Sequence, residues 1–549
     1  MMRRAIALLV VAAALAAGSA VAATGTSVCT GACYAAPAGS GPLLVFTGHG
    51  WGHGVGMSQY GAFGYAQHGW PATQILAHYY PGTTVGQAPV SRVRVLLADK
   101  KKTLKLSSDV PFTVRDGLGK THTLDAGEFA LGVTLTLPVD GQPVPQPLTP
   151  PLTFRPGAGA PLTLKLSYRG QIMVDVVDGK LRAVNIVGLE QYLYGVVPSE
   201  MPANWSSEAL KAQAIAARSY AMATRQVGAP YDLFSDTRSQ MYLGSSHEDP
   251  ATTAAVDATK GQVLYYAGQV ATTYFSSTSG GQTESAANWA GTAVPYLVSV
   301  PDPYDIISPY HDWGPVAVTG KTVVQALKLP GPLTDVKTTR NASGRVGTVD
   351  LFAQALDLPF AGTKLRDALG LRSTWFTVGL FSLSPPVPSV PVVYGSSVSL
   401  TGVIRGVSGV SFEQRPAAAP WQAVGPVTPA FDGSLTLVAK PTITTDYRLA
   451  TTTVAAGFVR IRVMPLVTIT AVTADHVQGN EAPLLPDAPV QVQLQNADLT
   501  WTVAAEGTVS ADGTFAVPVS IPPGSSYRIV VTPGRGYAAA TTAAQTVAR

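Results

Sequence analysis

Cysteine is almost missing from this chain: Cys29 and Cys33 are the only two among 549 residues. That excludes a disulfide-stapled scaffold. The pair encloses three residues, so a bridge between them would remove little chain entropy and act locally. No histidine stands nearby to complete a metal site, and no lipobox-like apolar run precedes either cysteine. Charge is scarce as well. Asp, Glu, Lys and Arg make up 13% of the residues, about half the usual share. Such a composition does not suit long exposed helices or coiled coils. Outside the N-terminus no uncharged apolar stretch is long enough to span a bilayer. A G-x-S-x-G elbow is absent, which removes one route to a serine nucleophile.

What is present is glycine (54) and proline (43), the composition of short strands joined by many turns. A chain of this length exceeds one hydrophobic core and predicts roughly three or four domains. Residues 1–22 read as a secretory signal: Arg3 and Arg4, an apolar run from Ala5 to Ala17, and an Ala20-Val21-Ala22 cleavage site. Removing it leaves 35 basic and 33 acidic residues (37 − 2 against 33). That balance gives no reason to invoke nucleic acid. Residues 23–42, small and polar, predict a flexible mature N-terminus.

From Arg92 to Val187 the runs RVRVLLA, LTLKLSY and QIMVDVV predict strands, with Asp-Gly turns at 116–117 and 178–179. The segment 138–152 is a proline-rich connection. A helix follows, with Ser206 as N-cap, Glu208 in its first turn and Gly228 beyond its end. Leu210, Ala214, Ala217 and Ala221 form an apolar face at helical spacing. Strands return over 261–278, and the sequence stays mixed α and β to about residue 383. SPPVPSVP (384–391) predicts a linker. Beyond it, Trp421, Asp432, Gly433, Tyr447 and Arg448 recur 80 residues later as Trp501, Asp512, Gly513, Tyr527 and Arg528. This period predicts two tandem immunoglobulin-like sandwiches, 392–466 and 467–549. The fold class expected is therefore an α+β domain followed by two all-β modules.

The chemistry centres on residues 197–221, VPSEMPANWSSEALKAQAIAARSYA. Pro198 and Pro202 predict a turn carrying Glu200 directly into the helix. Met201 and Trp205 would desolvate that carboxylate and raise its pKa. The helix N-terminus beyond would oppose them. A general acid and a capping or salt-bridging residue are both open on this pattern. GHGWGHG (48–54) is glycine-rich, yet no G-K-[ST] follows it, so a phosphate loop is not expected. His49 and His53 have zinc-like spacing, but Gly50 and Gly52 deny them a helix. A rigid turn at a cleft is the preferred reading.

The VPSEMPANWSSEALKAQAIAARSYA segment resembles the signature of the stage II sporulation protein D family, the SpoIID/LytB domain. SQMYLG (239–244) resembles its Gln-x-Tyr-x-Gly segment, and YFSSTSGGQTESAANWAG (274–291) its Ser-x-Gly-Gly-x-Thr-Glu segment. GRVGTVDLF, KLRDALGLRSTWF and residues 46–85 complete a likeness spanning most of 43–383. In the usual family order the GHGWGHGVGMSQYGA block closes the domain. Here, as block 43–86, it opens the mature chain, so the domain looks circularly permuted. Domain ends that lie close together at the surface would permit this.

The resemblance implies a lytic transglycosylase acting on peptidoglycan glycan strands, especially strands without stem peptides. Other members resemble enhancers of a cell-wall amidase, and a non-catalytic glycan-binding role is the alternative. Glu200 matches the family's catalytic glutamate. One carboxylate suffices for this reaction: it protonates the glycosidic oxygen, then deprotonates the MurNAc C6 hydroxyl as the 1,6-anhydro ring closes. Arg218 is expected to bind substrate or to pair a buried carboxylate. Gln240 and Tyr242 are expected to hydrogen-bond sugar groups. Ser279, Gly280, Gly281 and Glu284 read as a cleft loop, with a tight turn as the plainer alternative for the glycines. His53, Ser58 and Gln59 line the same cleft if permutation restores their place. Some relatives carry cysteines before the Gln-x-Tyr segment, suggesting zinc. Phe234 to Ser239 contains none, so neither metal nor cofactor is expected. The expected location is outside the cell, in the envelope or wall, with no membrane span once the signal is removed.

Overall fold

The structure is a computed structural model that describes residues 33–386, 389–417 and 419–548. The expected signal peptide, residues 23–32 and Cys29 lie outside the described residues. Cys33 is disulfide-bonded.

The segment 92–188 folds as the alternation of its residues demands. Strands 233–234, 92–101, 180–188, 171–177, 152–155, 112–115 and 121–124 lie side by side in that order. Val93, Val95, Val114, Leu152, Phe154, Ile172 and Val174 all point into one buried core, as a period of two requires. At the tip between 171–177 and 180–188, Val177 pairs with Lys180. Asp178 and Gly179 both have positive φ, 50° and 66°, the signature of a two-residue hairpin turn.

Four helices carry the site. α1 is Gln59–Gln67, α2 Ala72–Tyr79, α3 Leu189–Glu200 and α4 Ser207–Thr224. The expected helix is α4, with Ser206 at its N-cap position, although the Ser206 side chain makes no capping bond. It is buried on two faces rather than one. Ala214, Ala217 and Ala221 pack toward the sheet core, while Leu210, Ala212, Ile215 and Ala216 pack with residues of α1 and α2. Small side chains on opposite faces let both layers approach the helix closely. Among the described residues, no helix is long and apolar enough to cross a membrane.

The C-terminal part is all β, and two of the sequence-based boundaries need correction. Strands 312–319, 43–49, 376–384, 398–405 and 434–439 form one continuous sheet. The first sandwich therefore shares its sheet across the predicted 384–391 linker, whose residues 387–388 lie outside the described residues. Its core combines Leu43, Phe381 and Leu383 with Leu400, Phe412 and Leu449. The N-terminal segment is also tied down where it is described. Tyr34 and Ala35 pair with Val454 and Ala455, and Ala36 enters the same core. Expected flexibility is thus replaced, over 33–42, by packing against the first sandwich. The second sandwich has its own two sheets and its own core around Val477, Val490, Phe515 and Ile529.

The 80-residue repeat has a physical basis in both modules. Arg448 lies over the Trp421 ring at 4.0 Å and Arg528 over Trp501 at 4.3 Å. Asp432 and Asp512 each accept the backbone N–H two residues on, at 2.9 and 3.0 Å.

Candidate active site

The segment expected to be a turn is the end of a helix. α3 runs through Pro198 and ends at Glu200. Pro198 has no N–H to give, but the chain continues the helical path around it. The Ser199 hydroxyl donates to the Gly195 carbonyl at 2.9 Å, and Met201 N–H donates to Val197 at 3.0 Å. This reverses the expected dipole argument. Glu200 occupies the negative end of α3, which favours the protonated acid, and α4 starts only at Ser207.

Glu200 is half-buried and lightly held. Its Oε2 accepts from Gln59 Nε2 at 3.5 Å and its Oε1 from the Met241 backbone N–H at 3.4 Å. Both contacts are at the long limit for a hydrogen bond. Burial pushes the carboxyl above its ordinary range, and the Met241 and Gln59 N–H groups pull it back in part. Tyr192 and Tyr220 are pushed up chiefly by burial, with the Glu200 charge adding to the effect.

Two groups of aromatic rings stand on the segments around Glu200. In one, Phe63 stacks on Trp205 at 4.6 Å and Tyr60 meets Trp205 edge-on at 4.7 Å. In the other, Tyr220 neighbours Tyr274 at 5.7 Å, and Tyr274 and His53 each meet Trp289 at 5.1 Å. Sequence reasoning missed Tyr60, Tyr220, Tyr274 and Trp289. They are scattered over four segments, and no spacing joins them.

Among the other predicted site residues, only Gln59 reaches Glu200 with its side chain. Arg218 is fully enclosed and donates to Glu190 at 2.5 and 3.2 Å, and to the Gln262 carbonyl at 3.0 Å. Its donors hold α3, α4 and the strand 262–266 together, which corrects the substrate-binding assignment in favour of the buried ion pair. Gln240 is turned inward, donating to the Ala217 carbonyl at 3.2 Å and to Tyr192 Oη at 3.4 Å. Tyr242 is buried and donates to Asn185 at 2.8 Å. The Gln-x-Tyr segment therefore offers Glu200 a backbone N–H, while its two named side chains anchor the loop.

The Ser-Gly-Gly loop is likewise occupied from within. Ser279 N–H and Gly280 N–H donate to the two oxygens of Asp305 at 3.0 and 2.9 Å. The Ser279 hydroxyl donates to Asp302 at 2.7 Å, and Gly281 N–H donates to that hydroxyl at 3.1 Å. Ser58 donates to Asp305 at 2.6 Å and caps α1 by accepting Gly61 N–H at 3.0 Å. A Cβ at Gly280 would stand 2.8 Å from the Gly50 nitrogen, so the glycine serves loop-to-loop contact. Burial and the neighbouring Asp305 push Asp302 up to about 7. Glu284 accepts from Ser285 N–H, Asn288, Asn341 and Ser343 at 2.7–3.0 Å. The Ser279 and Glu284 side chains, expected to face a cleft, are instead engaged within the loop and its supports.

His53 accepts Val55 N–H at 3.0 Å, and burial holds its imidazole down at about 4. His49 instead pairs with Asp312 at 2.6 Å, so the two histidines serve different neighbours. Gly54 explains part of the intervening glycine pattern: with φ +76°, a Cβ there would stand 2.5 Å from the Arg345 guanidinium.

The family profile described as "Stage II sporulation protein" matches residues 177–266. Stage II sporulation protein D of Bacillus subtilis (strain 168) is 35% identical over 245 residues, covering 41% of this chain and 69% of that protein. The amidase enhancer of the same organism is 42% identical over 113 residues, 21% of this chain and 15% of that protein. An uncharacterised protein of Brachyspira hyodysenteriae (strain ATCC 49526 / WA1) is 42% identical over 138 residues, 25% of this chain and 38% of that protein. The chain thus spans well under half the length of the Brachyspira protein and of the amidase enhancer.

Proposed function

Since this chain belongs to the stage II sporulation protein D family, we propose that it is a secreted peptidoglycan lytic transglycosylase with Glu200 as its acid and base. The observation that carries this reading is the state of Glu200. It is pushed up by burial and held by two long N–H contacts, and among the described residues no second carboxylate contributes to its shift. Hydrolases of ordinary type need a carboxylate pair; a lytic transglycosylase does not. The protonated Glu200 gives its proton to the oxygen between MurNAc and GlcNAc, and the glycosidic bond breaks with its electron pair on that oxygen. The resulting carboxylate accepts the proton of the MurNAc C6 hydroxyl as O6 bonds to C1, closing the 1,6-anhydro ring. No water is consumed. Gln59 and Met241 N–H stabilise the carboxylate formed between the two proton transfers.

The domain reads as circularly permuted. Leu43 stands opposite Phe381 in antiparallel register, as in a hairpin with its turn removed. The permuted block supplies Gln59 to Glu200, and so completes the site. A chain in which residues 43–86 follow residue 384 through a short turn should still cleave glycan; one that folds but does not cleave would count against permutation.

The decisive assay uses the mature protein and glycan strands freed of stem peptides. New 1,6-anhydroMurNAc ends, lost in Glu200→Gln, are the expected result. Reducing MurNAc ends would indicate a hydrolase. Binding with no new ends would favour the second reading, a glycan-binding enhancer of a cell-wall amidase, consistent with similarity to a protein named amidase enhancer.

A further inference from the structure

One half-buried cation, at the end of a row of aromatic rings, has no carboxylate within ion-pair distance among the described residues. Arg372 is half-buried, and its guanidinium lies 4.6 Å from the Tyr310 ring centre and 5.3 Å from that of Trp51. Among the described residues it forms no ion pair within 4.0 Å, unlike the enclosed Arg218 and Arg448. Trp51 is 42% exposed, a large apolar surface turned to solvent next to a charge.

These residues extend the aromatic row already described. Trp51 meets Tyr310 edge-on at 4.4 Å, Tyr310 neighbours Tyr60 at 6.5 Å, and Tyr60 meets Trp205 at 4.7 Å. Tyr60 follows Gln59, which touches Glu200. The row therefore includes the residue next to Gln59, the side chain that contacts Glu200, and ends at a guanidinium with no ion pair among the described residues. The C–H faces of pyranose rings stack on aromatic surfaces, and a guanidinium selects a carboxylate among sugar substituents.

We infer that Trp51, Tyr60, Tyr310 and Arg372 form a docking strip for the glycan strand, with Arg372 binding the free lactyl carboxylate of a muramic acid residue distant from the cleaved bond. A stem peptide converts that carboxylate into an amide and removes its charge. Arg372 is on this account a specificity-determining residue for strands without peptides. The inference rests on the glycan reading of the Glu200 site.

The test measures binding by calorimetry, in full-length Glu200→Gln protein, of two glycan oligosaccharides of equal length. One keeps its lactyl carboxylates; in the other they are converted to methylamides. Amidation should weaken binding about tenfold, the equivalent of about 1.4 kcal/mol. Adding Arg372→Ala should weaken the acid form to the level of the amide and leave the amide unchanged. Arg372→Lys should recover part of the preference, and rising salt should erode it. Trp51→Ala should weaken both forms by a similar factor. Equal losses for acid and amide in Arg372→Ala would mean that Arg372 only packs on its rings, and would overturn the inference. Preference for an acidic polymer without muramic acid over the muramyl strand would overturn it as well.

Failure here is separable from failure of the proposed reaction. Anhydro ends formed equally from acid and amide strands, with no difference in binding, sink the inference alone. Carboxylate-dependent binding without anhydro ends sinks the transglycosylase and leaves the strip standing.

Discussion

Glu200 and Glu284 are two carboxylates in one domain, both within segments that resemble family signatures, and their surroundings differ in kind. Glu284 is 3% exposed, and donors from Ser285, Asn288, Asn341 and Ser343 meet it at 2.7–3.0 Å. Glu200 has two contacts, at 3.4 and 3.5 Å, and a carboxyl pushed up by burial. A carboxylate that accepts from four donors ties together the loop around it. A carboxylate poorly supplied with donors is free to carry a proton. Hydrogen-bond saturation thus separates a carboxylate built into the frame from the one proposed as the reagent.

Removing each group should separate them most sharply. Glu284→Ala removes the acceptor of Asn341 Nδ2 and one acceptor of the Ser343 hydroxyl, and should cost about 3 kcal/mol of stability. Glu200→Ala should change stability by about 1 kcal/mol or less. Urea unfolding checks both; equal losses would break the distinction.

Asp302 lies between the two cases. It accepts from Tyr79 and Ser279, yet burial and Asp305 push it from 3.8 to about 7. The folded state then binds the proton more tightly than the unfolded chain. Its contribution to stability is fully present below about pH 4 and is lost as pH rises to about 7. The urea midpoint of Asp302→Asn should lack that decline, and an unchanged slope between pH 4 and 7 would remove Asp302 as its source.

The smallest effect is expected in the second sandwich. Arg448 pairs with buried Glu413 at 2.7 Å, whereas Arg528 donates to neutral Gln493 at 2.8 Å and lies over Trp501. Arg528→Ala strands no charge and should cost about 1 kcal/mol. Calorimetry of the C-terminal transition tests this; a loss matching that of Arg448→Ala would mean that the ring contact outweighs ion pairing.

Much of this molecule was legible from residue order. The strands of 92–188 follow from alternation, α4 from helical spacing, and the two sandwiches from a repeat of five residues. Glu200 was legible as a carboxylate set among apolar residues in sequence, and burial raises the pKa of its carboxyl as expected. Its helix was not: Pro198 and Pro202 read as a turn, and only packing shows α3 continuing to Glu200. Arg218, Tyr242 and Glu284 were recognisable as unusual, but their roles depend on partners 28, 57 and 57 positions away.

By itself, then, the sequence determined which segments are strands and helices, where the repeat lies, and which carboxylate stands among apolar side chains. These properties come from neighbours a few residues apart. Tertiary structure decided which polar groups are already satisfied, that the first sandwich shares a sheet with strands 43–49 and 376–384, and that Gln59 meets Glu200 across 141 positions. Hydrogen-bond saturation and burial depend on contacts remote in sequence, and those contacts decide whether a charged side chain supports the fold or remains available to a ligand.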